Sequence, residues 1–338
     1  MAGEQGRTRA PNIRDVAAAA GVSYQTVSRV LNDSPSIRST TKQRVLDVIR
    51  DLGYRPNQAA RALVTSRSRT IGVLSAQTGG YYGPNTAINA IEQAARDAGY
   101  RLSITNINTG DYASIKSGLD HLLSQSVEAL VVIAPQARVF DAINDLSIDV
   151  PFVTLEATGR NPGHSLSVDQ VLGARLATRH LIELGHTEIM HISGPQDWIE
   201  AEARMQGFLL EITEAELRTR APILGDWTAS FGYYAGLELL RFRDFTAVFT
   251  SNDQMALGFM HACREVGLDV PGDISVVGFD DIPEAAHFHP PLTTVRQNFA
   301  EVGHRAISLI LAELQGTTHE EPDAVPPELV VRSSTAHV

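Results

Sequence analysis

The chain lacks several features that would have decided its class. Cys263 is the single cysteine among 338 residues. No intrachain disulfide is therefore possible, and the fold must rest on packing. No apolar run reaches the roughly 18–20 residues that a membrane-crossing helix needs. The segment Met1-Ala2-Gly3-Glu4-Gln5-Gly6-Arg7 has no apolar stretch of the kind found in secretory signals. A cytoplasmic location is the expectation. Lysine is scarce, with only Lys42 and Lys116 among 28 basic residues. No phosphate-cradling glycine motif and no nucleophile elbow is present. Asp280-Asp281 resembles a carboxylate pair and His287-Phe288-His289 a metal-binding pair. Adjacent carboxylates at one strand end usually diverge, and two histidines without a further ligand motif read as a loop. No enzymatic activity, cofactor or metal is expected.

The residues that are present are unevenly placed. Residues 1–70 hold twelve Arg/Lys against five Asp/Glu, a net +7. The whole chain is −11, which leaves −18 for residues 71–338. A positive head on an acidic body fits a head that meets a polyanion and a body that does not. With 43% hydrophobic residues, the chain has enough apolar material for more than one core.

The head reads as short helices. After a leader ending at Pro11, Asn12 can cap a helix with Asp15 in its first turn. Ile13, Val16, Ala17 and Ala20 fall on one face, and Gly21 suits the left-handed residue that ends it. Ser23 caps a second helix whose Val27, Val30 and Leu31 turn inward. Val45, Val48, Ile49 and Leu52 mark a third. A helix, a glycine turn and a second helix form a helix-turn-helix, whose second helix enters the major groove. Its polar residues Ser23, Tyr24, Gln25, Thr26, Ser28 and Arg29 are the candidate DNA readers. Gln pairs well with adenine and Arg with guanine, while Ser and Thr suit phosphates. Pro56 stops the third helix, and Gln58 to Val64 is a helix too short to be stable alone. Ala59, Ala60 and Leu63 give it a small apolar face, with Leu63 placed to wedge into a minor groove.

The body alternates between strand-like and helical patterns. Apolar runs lie at 71–76, 102–107, 129–134, 152–155, 188–193, 246–250 and 274–279, with helical patterns between them. Alternation of this kind gives parallel, doubly wound sheets, and seven runs over about 270 residues suggest two lobes. Ligands of such sheets bind beyond the carboxyl ends of the strands. Glu156, Asn252, Asp253, Asp280 and Asp281 stand just after strand ends, with Arg204 early in a helix and Trp227 in Gly225-Asp226-Trp227. Carboxylates, an amide, a guanidinium and an indole suit a sugar, whose hydroxyls want bidentate partners and whose C–H face stacks on a ring.

Val22-Ser23-Tyr24-Gln25-Thr26-Val27-Ser28-Arg29-Val30 and Tyr54-Arg55-Pro56-Asn57 through Leu63 resemble the head of the LacI/GalR family of transcriptional regulators, with motifs nearest its lactose-repressor branch. Ser251-Asn252-Asp253-Gln254-Met255, Asp273 to Asp281 and Pro290 to Gln297 resemble the family's inducer-binding half. The resemblance implies Tyr24, Gln25 and Arg29 as base readers and Asn57, Ala60 and Leu63 as the hinge's DNA-facing residues. It implies Arg204, Asn252 and Asp280 as hydroxyl binders, Trp227 and Phe299 as stacking rings, and Gln297 as an assistant. Glu156 departs from the branch, which has an aspartate there. One added methylene changes which hydroxyl the carboxylate reaches. The glycine- and tyrosine-rich loop Gln77–Gly83 also differs, and it is expected to border the same cleft.

The expected fold is a small all-α helix-turn-helix head and an α/β two-lobe, periplasmic-binding-protein-like body with doubly wound parallel sheets. The head spans 1–64 with a hinge helix at 57–64, and 65–69 is a linker. One lobe comprises 70–168 and 298–325, the other 169–297 and 326–338. No heptad run follows the last strand, so a homodimer on a palindromic operator is expected. The expected function is a sugar-released transcriptional repressor, with a β-galactoside as first guess. The alternatives are a corepressor-dependent regulator of the same fold and a non-regulatory sugar-binding protein.

Overall fold

A computed structural model describes residues 11–31, 34, 36–55, 67–75, 82–107, 112–134, 136, 139, 143, 148–156, 164–218, 220–242, 244–317 and 323–338. The chain forms two compact units that part between Ser68 and Arg69. The hinge segment 57–64, with Asn57, Ala60 and Leu63, lies outside the described residues.

In the first unit, α1 (Ile13–Ala20) starts at a reciprocal cap. The Asn12 side chain accepts from the Arg14 and Asp15 amides, and the Asp15 carboxylate accepts from the Asn12 amide at 2.7 Å. Gly21 at φ 62° ends it, which lets the chain turn straight into α2 (Tyr24–Leu31). Helix α3 (Ser39–Leu52) ends the same way at Gly53. Val16, Ala17, Ala20, Val27, Val30 and Val45 form the shared core. Leu31, Val48 and Ile49 are only half-buried, and Leu52 is 37% exposed. The inward set of the third helix is therefore thinner than its periodicity suggests, because so short a unit has little interior to offer.

The second unit contains two sheets. The first runs in the order β2-β1-β3-β4-β5, all parallel, with β1 Thr70–Ser75, β2 Arg101–Asn106, β3 Ala129–Ile133, β4 Phe152–Leu155 and β5 Ser165–Leu166. Helices α4 (Tyr82–Asp97) and α5 (Tyr112–Ser124) connect these strands. The second sheet has β6 Ile189–Ser193, β7 Ile223–Leu224, β8 Ala247–Thr250, β9 Ser275–Asp280, β10 Thr293–Arg296 and β11 Glu328–Val330. Its order is β11-β10-β9-β8-β6-β7, with only the β10–β11 pair antiparallel. Around it lie α6 (Gln170–Glu183), α7 (Ile199–Glu214), α8 (Ala229–Leu239) and α9 (Asp253–Glu265).

Helix α10 (Phe299–Leu314) follows a second-sheet strand but belongs to the first core. Its Val302, Ala306, Ile307 and Ile310 pack with Ile71, Val73, Val131 and Val153. Val325 then pairs with Val168 beside the first sheet before the chain returns to β11 in the second. Among the described residues, the chain therefore passes between the sheets three times, near 168, 297 and 326. Helices also carry each half into the other's core. Ile199 of α7 is buried in the first sheet's core, and Tyr82 of α4 packs against the second's.

Four strands, β5, β7, β10 and β11, are absent from the apolar runs of the sequence. Two of them are two residues long, too short to show a period. In β10, Thr293 and Thr294 are fully buried and apolar runs are replaced by hydroxyls with partners. The Thr294 hydroxyl donates to Asp253 Oδ1 at 2.6 Å, and the Thr293 amide donates to Ser334 Oγ at 2.8 Å.

Candidate ligand cavity and DNA-reading helix

A cavity of about 330 Å³ opens where the carboxyl ends of the two sheets face each other. Its size suits a small organic ligand. Glu156 reaches it from the end of β4, and Phe299 from the start of α10. Arg204 comes from α7, Trp227 from the turn before α8, and Asn252 from the cap of α9. Asp280 ends β9, and Gln297 follows β10. The cavity thus brings together all seven candidate ligand residues. Tyr82 and Gly83, expected in the glycine- and tyrosine-rich loop but forming the start of α4, also line it. Residues 76–81 lie outside the described residues.

Four buried polar side chains close a ring on the cavity wall. Arg204 Nε donates to Gln170 Oε1 at 2.8 Å, and Gln170 Nε2 donates to Gln297 Oε1 at 2.8 Å. Gln297 Nε2 donates to Asp280 Oδ1 at 2.7 Å, which lies 3.5 Å from Arg204 Nη1. Arg204 Nη1 also donates to the Ser251 carbonyl, and its guanidinium lies 3.8 Å above the Phe279 ring. Each amide is fixed in orientation, because its oxygen accepts from one neighbour while its nitrogen donates to the next. Such a ring presents its remaining donors and acceptors with little freedom to lose when a ligand arrives. Gln170 was not among the candidates. It is the first residue of α6, and nothing local in the sequence marks it.

The aromatic wall is held under strain. Trp227 has φ 71° and Asp280 φ 108°, conformations that cost side-chain-bearing residues about 1–3 kcal/mol each. Asn252 Nδ2 donates to the Trp227 carbonyl at 3.0 Å, while its Oδ1 accepts from the Met255 amide at 2.9 Å as the cap of α9. The amide therefore does structural work and retains one N–H and one lone pair for a ligand. Gly194 lies against the indole, where a Cβ would stand 2.2 Å from a Trp227 ring carbon. Trp198 meets Trp227 edge-on, with centroids 5.4 Å apart, and lines the cavity too.

The cavity is rich in acid. Burial pushes the Asp280 carboxyl up to about 6, against the opposing pull of Arg204 and Gln297. Burial likewise pushes Glu200 up to about 7, with Asp280 and Glu156 adding to the rise and Arg204 opposing it. Glu156 accepts from Ser165 Oγ at 3.0 Å. Among the described residues, three buried atoms of the cavity lining have no hydrogen-bond partner: Glu200 Oε2, Trp227 Nε1 and Gln254 Oε1. Trp198, Glu200 and Gln254 were not candidates either. Glu200 had a readable signal, since it lies one helical turn before Arg204 and shares its face.

Asp253 and Asp281 stand elsewhere. Asp253 accepts from Thr294 and the Ile282 amide, and Asp281 bridges Arg296 and Arg332 at 2.7 and 2.6 Å. The Asp280-Asp281 pair therefore splits, with one carboxylate at the cavity and the other tied to β10 and the segment after β11.

In the first unit, the candidate readers lie at the start and along the open side of α2. Tyr24 is 50% exposed, and Ser23, Gln25 and Arg29 are exposed as well. Thr26 and Ser28 are half-buried. Ser23 Oγ accepts from the Thr26 amide at 3.1 Å and meets the Thr26 hydroxyl at 2.9 Å. These two hydroxyls build the helix start, so Tyr24, Gln25 and Arg29 are the side chains left free to reach outward.

Residues 12–57 match the profile of bacterial regulatory proteins of the lacI family, and residues 178–335 that of a periplasmic binding protein-like domain. The lactose operon repressor of Escherichia coli is 33% identical over 95% of this chain and 89% of its own. The transcriptional repressor PurR of Mannheimia succiniciproducens is 34% identical over 96% and 99%. The solved lac repressor dimer bound to operator and the anti-inducer ONPF superposes with a TM-score of 0.87 at 32% identity, over 97% of this chain and 100% of that one. A complex of the regulator CelR with cellobiose gives 0.71 at 29% identity, over 96% and 99%.

Proposed function

Because the chain belongs to the lacI family of bacterial regulatory proteins, we propose that it is a homodimeric, sugar-released repressor. The observation that carries the sugar reading is the buried ring of Arg204, Gln170, Gln297 and Asp280 beside the Trp227 and Trp198 rings. Vicinal hydroxyls need paired donors and acceptors held in fixed directions, and a pyranose face needs an aromatic neighbour. The cavity offers both, from elements of both sheets. A β-galactoside is the first candidate and a β-linked glucoside such as cellobiose the second. Glu156, with its longer reach, is the residue that separates them.

In the head, Tyr24, Gln25 and Arg29 read base edges in one operator half-site. Asn57, Ala60 and Leu63 complete the contact, with Leu63 as the minor-groove wedge. The hinge is too short to hold as a helix unaided. A ligand that favours one arrangement of the two sheets over another therefore biases whether that wedge is presented.

A second reading, a purine corepressor, draws on the PurR relatives. Its effect has the opposite sign, with ligand strengthening operator binding. The test is a thermal-shift screen of the whole protein against mono- and disaccharides and purine bases. A true ligand raises the melting temperature with its concentration. A shift with lactose or cellobiose supports the sugar reading; a shift with hypoxanthine or guanine alone defeats it.

A further inference from the structure

Glu200 is the least explained group in the cavity. It sits in the first turn of α7, one turn before Arg204, and lines the cavity wall. Its Oε2 is sealed from solvent yet has no hydrogen-bond partner. A buried carboxyl oxygen without a partner costs stability unless something completes it. Trp227 Nε1 and Gln254 Oε1 are in the same condition on the same wall. The charge balance points the same way. Among the described lining residues, Glu156, Glu200 and Asp280 are acidic, and Arg204 is the one cation. That guanidinium is already engaged by Gln170, the Ser251 carbonyl and Asp280.

We propose that Glu200 is a specificity-determining residue whose unpartnered oxygen accepts a hydrogen bond from a hydroxyl or amino group of the bound sugar. With it, the acid-rich wall turns away phosphorylated and acidic sugars. The inference rests on the sugar reading above. A neutral polyol gives each carboxylate a donor, whereas a phosphate or uronate placed here faces like charges in a medium that screens them poorly. Site selectivity of this kind is strong, because the wrong ligand leaves buried groups unpaired.

The test is isothermal titration of the full-length protein with matched probes: galactose, lactose and cellobiose; galactose 6-phosphate and galacturonate; and hypoxanthine. At least one neutral sugar is expected to bind. Galactose is expected to bind at least tenfold more tightly than either of its acidic counterparts. Glu200→Gln is expected to weaken the neutral sugar at least tenfold and to narrow the gap to the acidic forms, with Glu200→Asp restoring part of the loss. Equal or tighter binding of galactose 6-phosphate overturns the proposal. So does a Glu200→Gln variant within twofold of wild type for every sugar. If hypoxanthine binds and no sugar does, the sugar reading fails, and the effect of Glu200→Gln on hypoxanthine still decides the role of the residue.

A measurement without ligand covers the remaining case. The groups facing Glu200 are Arg204 on α7, Asp280 at the end of β9 and Glu156 at the end of β4. Its folded-state pKa of about 7 lies above its ordinary value of 4.5, so the folded protein loses stability relative to the unfolded chain as pH rises from 4.5 to about 7. Glu200→Gln lacks that loss. Its melting temperature relative to wild type is therefore expected to be higher at pH 8 than at pH 5. An equal difference at both pH values would mean that burial does not hold the Glu200 carboxyl up in the empty cavity, and would sink the proposal.

Discussion

In the head, Tyr24, Gln25 and Arg29 stand in solvent on a helix of eight residues. In the body, Arg204, Asp280, Gln170 and Gln297 are each no more than 8% exposed and are bonded to one another. The difference follows from what each region must recognise. DNA brings its own charge and its own ordered edges, so readers need only be presented on a small, well-capped scaffold. A small ligand brings little binding surface. The body must therefore supply the order in advance, by fixing donors and acceptors before the ligand arrives. One consequence is energetic. Losing a head reader removes contacts to a partner and little else. Losing a member of the body's ring leaves its neighbours buried and unpaired.

The largest expected effect is therefore in the body. Arg204→Ala leaves Asp280 buried without its cation, and breaking such a pair costs about 3–5 kcal/mol. Urea unfolding should show that loss, and calorimetry should show no sugar binding. An Arg204→Ala body as stable as wild type would erase the contrast drawn above. Gly194→Ala is expected to come next. A Cβ at 2.2 Å from the Trp227 ring forces the indole to move, costing up to about 3 kcal/mol, with weaker sugar binding as a second readout. Arg29→Ala should leave folding and sugar affinity intact and weaken operator binding by about 2 kcal/mol in a gel-shift titration. Loss of sugar affinity in that variant would contradict the separation of roles. The smallest effect is expected for Asn12→Ala. It removes the reciprocal cap of α1 and should cost the head about 1 kcal/mol in thermal unfolding.

The sequence carried different parts of the fold to different depths. Helix ends were legible where a side chain or a glycine makes them, as at Asn12, Gly21 and Ser23. The alternation of apolar strands with helices was legible because the buried parallel strands β1, β3, β8 and β9 are largely apolar. Strand β10 was not, since its buried threonines are satisfied by groups distant in sequence: the Thr294 hydroxyl donates to Asp253, and the Thr293 hydroxyl accepts from the Arg332 amide. The same logic applies to the cavity. Arg204, Trp227, Asn252 and Asp280 stood out as polar or aromatic residues near strand ends. Gln170 did not, because its role exists only through partners 34 and 127 residues away. Asn252 was legible as a cavity residue but not as the clamp on the strained Trp227 backbone. Glu200 could have been found from its helical spacing to Arg204.

The central claim is that a ligand in the body's cavity and DNA on the head oppose each other. Coupling between two binding sites is reciprocal. The most direct measurement titrates the same sugar into the full-length protein alone and into its complex with operator DNA. The account predicts weaker sugar binding in the complex, by the same factor by which saturating sugar weakens operator binding. Identical sugar affinities with and without operator would contradict it.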